Sequence, residues 1–313
     1  MKHFSFPLFH FVLVYAVLSI VACDKQQKQE HAPQYGKESA VQTTRVNYIF
    51  AIHPLHNSHH YFEVYQPLVD YINRHTSEFV LQLESSKDYT HFEEKLRQKR
   101  FHFALPNPYQ SVQSIQLGYS VFGKMGDDDQ FCGIIVVRKD SHIQFISDLR
   151  GKSISFPSAT ALAAAMMPKY FLKMNGLNVE KDADCRYVGS QESSMMNVYL
   201  GKTIAGCTWP PPWESFKEDH PEVSDAMTVQ WQTDPLINNG LVVRYDVPEQ
   251  HRKVFAKLLF TLHTHAEGQE ILKRINLSRF VAISQNEYVS RVNVFLKKYE
   301  HEFGSLPGIG GKP

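Results

Sequence analysis

Asp148-Leu149-Arg150-Gly151-Lys152-Ser153-Ile154-Ser155-Phe156-Pro157-Ser158-Ala159-Thr160-Ala161 holds a turn, a strand and the start of a helix in one short run. The first five residues are polar and turn at Gly151. Ser153 to Phe156 is a β run stopped by Pro157. From Ser158 a helical pattern runs to Met174 and closes on Gly176. A strand that turns directly into a helix leaves the first-turn N–H groups unpaired and adds the positive end of the helix dipole. Ser158, Ala159, Thr160 and Ala161 stand at that turn. The two hydroxyls add donors, and the two alanines let a ligand approach the backbone. This is an anion site that needs no cationic side chain.

The same strand-then-helix unit recurs in both directions. Upstream, Val46 to Ile52, Phe79 to Leu83, Phe101 to Leu105, Tyr119 to Gly123 and Gly133 to Val137 read as strands. Between the early ones lie helices carrying Phe62, Tyr65, Leu68, Val69 and Ile72 on one face, then Thr90 to Lys99, then Tyr109 to Leu117. Thr90-His91-Phe92-Glu93 matches a capping box. Downstream come strands at Arg186 to Val188, Ile204 to Thr208 and Asn239 to Arg244. A helix at Ser190 to Leu200 and late helices at Pro248 to His265, Glu267 to Ile275 and Gln285 to Tyr299 complete the pattern. Pro67 and Pro168 fall inside helical stretches and predict kinks. Alternation of this kind means α/β layers around mostly parallel sheets. Ligands of such sheets bind at the carboxyl edge of the strands. That edge should carry His53 after the first strand, Asn107 and Tyr109 after the third, and Trp209 after Thr208. Trp209-Pro210-Pro211-Pro212-Trp213 reads as a stiff extended segment.

Lys2 opens a short n-region, an almost unbroken apolar run follows from Phe6 to Val21, and then come Ala22-Cys23. This is a secretory signal, too short and weakly flanked to span a membrane. Its end resembles a bacterial lipobox, with Ile20 where Leu is usual. The resemblance implies cleavage after residue 22, a diacylglycerol thioether on Cys23 and an N-acyl chain such as palmitate, enough to hold the protein on a membrane. Asp24 resembles the inner-membrane retention signal of enteric lipoproteins. Residues 23–44 are polar and read as a flexible tether, and 301–313 as a flexible tail. The whole chain has a formal charge of +1, and Lys2 is the only formally charged residue of the leader, so the body carries none. That argues against nucleic acid as a partner, which requires a basic face. Cys132, Cys185 and Cys207 remain after lipidation, either as free thiols or with one disulfide among them.

Several segments together resemble the phosphonate/phosphite/phosphate-binding proteins of ABC importers. They are Tyr65-Gln66-Pro67-Leu68-Val69-Asp70-Tyr71, Ile143 through Lys152, Phe156-Pro157-Ser158-Ala159-Thr160-Ala161, Gly189-Ser190-Gln191-Glu192-Ser193 and Asp246-Val247-Pro248. The resemblance spans about Arg45 to Tyr299. It implies a bilobed type 2 periplasmic-binding-protein fold, two α/β lobes joined by two hinge crossovers. Lobe one would be 45–137 plus 237–300 and lobe two 138–236. It implies a receptor with no enzymatic activity and no cofactor, closing on a small oxyanion and docking to an ABC permease or a membrane sensor. The Ser158–Ala161 turn would hold the oxyanion with help from Ser190 and Gln191, the latter where the family often has histidine. Tyr109 and Trp209 would cover the ligand. Relatives often carry an acidic residue near Trp209 that selects an amino group. Glu214 does not match it, so the expected ligand has an apolar or aromatic part.

His53-Pro54-Leu55-His56-Asn57-Ser58-His59-His60 offers a rival reading. His56 and His60 have a usable zinc spacing on a helix face, which would make this a zinc-binding lipoprotein. Catalytic motifs are missing from the sequence: it has no His-Glu-x-x-His helix, Gly-x-Ser-x-Gly elbow or phosphate-cradling lysine loop.

Overall fold

The computed structural model describes residues 45–55 and 58–308. The leader, Cys23, Asp24, the tether, His56 and residues 309–313 lie outside the described residues. In chain order the elements of the first half are β1 (Val46–Ile52), α1 (Ser58–His75), β2 (Phe79–Leu83), α2 (Tyr89–Arg97), β3 (Phe103–Leu105), α3 (Pro108–Gln116), β4 (Tyr119–Met125), β5 (Ile134–Arg138), β6 (Ser153–Phe156) and α4 (Met167–Met174). They continue as α5 (Val179–Asp182), β7 (Asp184–Tyr187), α6 (Gln191–Tyr199), β8 (Ala205–Thr208), α7 (Pro210–Asp219), α8 (Pro221–Asp225), β9 (Met227–Gln232), β10 (Gly240–Arg244), α9 (Glu249–Phe260), α10 (Ala266–Arg274), β11 (Phe280–Ala282) and α11 (Gln285–Phe303).

Two sheets result. The first has the order β11-β4-β10-β3-β1-β2, the second β7-β6-β8-β5-β9. β1 pairs in parallel with β2 and β3, and β6 with β7 and β8, as right-handed strand–helix units require. The chain leaves the first sheet after β4, builds the second, and returns as β10, antiparallel to both β3 and β4. The sequence reading put the run at Gly133 to Val137 in the first lobe; β5 belongs to the second sheet, between β8 and β9. Ile134 to Val137 are buried throughout, so the run has no alternation from which to choose a sheet. The crossovers are therefore 126–133 and 233–239. Asn238 ties them, donating from Nδ2 to the Gly126 carbonyl at 2.7 Å while its N–H donates to Asp128 Oδ1 at 2.9 Å.

Prolines act differently from one another. Pro67 sits inside a continuous α1. Between β6 and α4 the backbone makes a wide turn, Leu162–Met166, in which the amides of Ala165 and Met166 both bond to the Ala161 carbonyl, at 2.7 and 3.2 Å. Pro168 follows directly in the same helical run, and the wide turn before it is where the helix accommodates the missing N–H. Pro210 to Pro212 form the first turn of α7, so the expected extended segment is a helix start, the position proline tolerates best. The tail also departs from expectation. α11 runs to Phe303, and Lys173 of the second lobe pairs with Glu302 and sits 4.6 Å from the centre of the Phe303 ring. On α1, Tyr65, Leu68, Val69 and Ile72 are buried as the face predicts, but Phe62 is exposed.

Candidate functional site

The strand ends of the two sheets meet along a line of hydrogen bonds. Asn107, after β3, is the N-cap of α3; its Oδ1 accepts from the Gln110 N–H at 3.0 Å. Its Nδ2 crosses to the Thr160 carbonyl of the second lobe at 2.9 Å. Tyr89, at the start of α2, receives the Gln191 amide on its hydroxyl at 3.0 Å, and Gln191 Oε1 accepts from the Thr208 hydroxyl at 2.8 Å. The Thr160 hydroxyl bonds to the carboxylate of Glu93 on α2.

These contacts frame two spaces. One is a small cavity of about 10 Å³, the room of roughly one water molecule. It is lined by His53, Asn107, Gln191 and Trp209 and by the wide turn at Ala161 to Ala164. The other is a cleft of about 410 Å³, lined by Asp88, Glu93, Pro157 to Thr160 and Lys169, with Tyr89 common to both spaces. Tyr187, Tyr299 and Phe303 give the cleft aromatic walls, and Ser305 to Gly308 of the tail border it.

The sequence-derived residues divide accordingly. Ser158, Ala159 and Thr160 face the cleft; Ala161, His53, Asn107, Gln191 and Trp209 face the cavity. The helix proper begins after Ala161, so the leading amides are those of Leu162, Ala163 and Ala164, one turn later than the sequence pattern suggested. Ser190 faces neither space. It caps α6, accepting from the Ser193 N–H at 3.0 Å. Tyr109 also faces neither; it is buried, and its hydroxyl donates to the Pro307 carbonyl. Trp209 is 2% exposed, 5.2 Å from the Phe131 ring, while Trp213 stacks on Phe216 in a separate apolar cluster.

His53 is fully buried and its pKa falls to about 4, because burial penalises the imidazolium more than the Leu105 carbonyl supports it. Its Nδ1 lies 3.0 Å from that carbonyl and therefore carries the proton. Lys169 is buried in the cleft wall, its Nζ 2.7 Å from the Tyr187 hydroxyl and 3.0 Å from Glu180. Burial would lower its pKa, but Tyr187, Tyr299 and Glu180 outweigh that and hold it above the usual lysine value.

Sequence reasoning missed Glu93 because it assigned it to a capping box. The N-cap of α2 is Asp88, whose carboxylate accepts from the His91 N–H at 2.8 Å. Glu93 is thereby released into the interior, 2% exposed, bonded to Gln110 and Thr160. The zinc reading finds no support. His53 turns Nδ1 to the Leu105 carbonyl, His60 lies 3.5 Å from Glu63, and among the described residues, which do not include His56, no group of three or more His, Cys, Asp or Glu is arranged to hold a metal. The three thiols are free, and burial raises the pKa of Cys207 well above the ordinary thiol value, which disarms it as a nucleophile.

The family model for the ABC transporter phosphonate periplasmic substrate-binding proteins matches residues 50–288. The chain belongs to that family. Its members are solute-binding proteins rather than enzymes, and they work outside the cytoplasm. The probable ABC transporter phosphite binding protein PhnD1 of Prochlorococcus marinus is 22% identical over 174 residues, which cover 51% of this chain and 59% of that relative. This chain thus spans under two thirds of that relative's length. Two solved structures share the bilobed fold. A binding protein of an ABC phosphonate transporter from Pseudomonas aeruginosa superposes with a TM-score of 0.73 at 14% identity, covering 82% of this chain and 88% of the other. PhnD1 of Prochlorococcus marinus in complex with methylphosphonate gives 0.72 at 17%, covering 80% and 98%. No described helix is long and apolar enough to cross a membrane.

Proposed function

We propose that this protein is the extracytoplasmic receptor of an ABC importer and binds a small phosphorus oxyanion between its lobes. The observation that carries the reading is the wide turn at Ala161 to Ala164. It brings helix-leading amides to an interlobe cavity that is bordered by neutral hydrogen-bonding groups of both lobes. The oxyanion takes those amides beside Asn107 and Gln191 when the lobes part enough to widen this cavity, which otherwise has room for about one water. The aromatic walls of the cleft take whatever organic part the ligand carries. Because contacts come from both lobes, ligand favours the form in which they touch, and closure follows as a population shift. Lipidation at Cys23, with Asp24 after it, anchors the receptor beside its inner-membrane permease. The lobes are taken as residues 45–133 with 237–303, and 134–236.

The test is a thermal-shift panel of phosphate, phosphite, methylphosphonate, 2-aminoethylphosphonate, sulfate and zinc. A ligand that binds only the native state raises the melting temperature with concentration. A dose-dependent rise with a phosphorus oxyanion is expected. A rise with zinc alone, reversed by a chelator, would overturn the reading.

A further inference from the structure

α11 packs on α3 and β4 of the first lobe and lays another face against the second. Phe295, Tyr299 and Phe303 follow at four-residue intervals and so share that face. Their rings run along it, with centres 6.1 and 4.4 Å apart. Opposite stands α4 of the second lobe. Tyr170 meets Phe295 edge-on at 5.7 Å. Lys173 reaches the last turn of α11, where it donates to the Glu302 carbonyl, lies 3.4 Å from the Glu302 carboxylate and caps the Phe303 ring. The last turn of a helix frays unless something ties it down. The residues after it do so here. Gly304 takes a φ of +79°, a left-handed turn that closes α11 and lets the chain bend toward α3. Leu306 then packs on the main apolar core, and the buried Tyr109 of α3 donates its hydroxyl to the Pro307 carbonyl. The ties act in series. Tyr109 fixes Pro307, the segment up to Pro307 fixes the turn at Gly304, and that turn holds Glu302 and Phe303 against Lys173.

We propose that residues 302–307 are a strap that fastens the two lobes together, with Lys173 as its clasp and Tyr109 as its anchor. The inference rests on the reading that the lobes part to admit ligand. Parting them pulls Lys173 away from Glu302 and Phe303, a charge-assisted bond and a cation–π contact at once. The strap therefore favours the closed arrangement by contacts that ligand does not supply, and it slows the release of whatever the lobes hold.

The experiment takes two readings on the wild type, Lys173→Met and Tyr109→Phe, with melting curves to confirm that each is folded. Lys173→Met keeps an unbranched side chain on Phe303 and loses the bonds to Glu302; Tyr109→Phe loses only the hydroxyl. The first reading needs no ligand. Hydrogen exchange of residues 300–304, the last turn of α11, should quicken about tenfold in either variant, although Lys173 lies in the other lobe. The second is stopped-flow displacement of methylphosphonate, whose release should also quicken about tenfold in either variant. Because the ties act in series, the double variant should go little beyond the single ones. Wild-type exchange in a folded Lys173→Met overturns the proposal. Faster exchange with wild-type release overturns it too, since the contact is then local packing, and leaves the oxyanion reading intact. If the wild type binds no methylphosphonate, the oxyanion reading falls, and the strap stands or falls on the exchange reading alone.

Discussion

Gly133 and Thr233 hold each other across the two crossovers. The Gly133 N–H donates to Thr233 Oγ1 and the Thr233 N–H donates to the Gly133 carbonyl, both at 2.9 Å. A side chain at 133 has no room. A Cβ there would stand 2.4 Å from the Ala163 carbonyl oxygen and 2.7 Å from the Pro168 ring. The hinge thus packs directly against the wide turn whose amides line the cavity.

Gly133→Ala should therefore cost stability and binding together. Overpacking of this kind costs about 1–3 kcal/mol, and the displaced Ala163 backbone should weaken ligand affinity as well. Thr233→Val keeps the backbone bond to the Gly133 carbonyl but loses the one from the Gly133 N–H to Oγ1, without the clash, and should destabilise less, by about 1 kcal/mol. Urea unfolding with calorimetry on the same samples checks both. A Gly133→Ala protein with wild-type stability and affinity would contradict the packing argument.

Asn107 has two separable roles, one on each side of its amide. Asn107→Ser keeps a cap for α3 but cannot reach the Thr160 carbonyl. Its melting temperature should stay near wild type while ligand affinity drops. Asn107→Ala loses the cap too, and should lose about 1–2 kcal/mol of stability in addition. Equal affinity in the serine variant would mean that the interlobe bond at Thr160 contributes nothing to holding ligand.

His53 predicts an acid sensitivity. Its folded pKa is about 4, below the ordinary histidine value of about 6.5. Between those values the unfolded chain binds a proton that the native protein refuses. Stability is therefore fully present above about pH 6.5 and falls as pH drops toward 4, by about 3 kcal/mol in all from this group. His53→Gln keeps a donor for the Leu105 carbonyl and has no proton to gain. Denaturant unfolding at about pH 7.5 and about pH 5 should show a smaller acid loss in the variant than in wild type. Identical losses would exclude a buried neutral imidazole.

How far the sequence alone was legible follows from the range of the forces involved. Ser153 to Phe156 and Val46 to Ile52 were readable because apolar content and flanking turns are local signals. β9 and β11 were not. Met227 to Gln232 mixes polar with half-buried positions, and Phe280 to Ala282 is too short to show a period. The Thr90-His91-Phe92-Glu93 pattern satisfied a motif whose place Asp88 had already taken. Nothing local marks Glu93 as interior, because its partners lie 17 and 67 positions away in sequence. Asn107 was found from a strand end and Gln191 from the family resemblance, yet their bonding across the lobes depends on which residues the two sheets bring opposite each other. Ser190 and Tyr109 were misjudged for the same reason. Each had a nearer partner, Ser193 for one and the tail carbonyl of Pro307 for the other.

Trp209 gives the cavity an optical reporter. Of the three tryptophans, Trp213 packs on Phe216 away from the cavity, and Trp231 is half-buried on β9. Only Trp209 lines the cavity, with Phe131 against its ring. Ligand binding should change the emission of the wild-type protein in a saturable way. Trp209→Phe should remove most of that change while keeping an aromatic partner for Phe131. Trp209→Ala should instead cost about 3–5 kcal/mol, since it empties a fully buried site beside the β8 edge. A Trp209→Phe protein that still binds and keeps the whole fluorescence response would place the ligand away from this cavity.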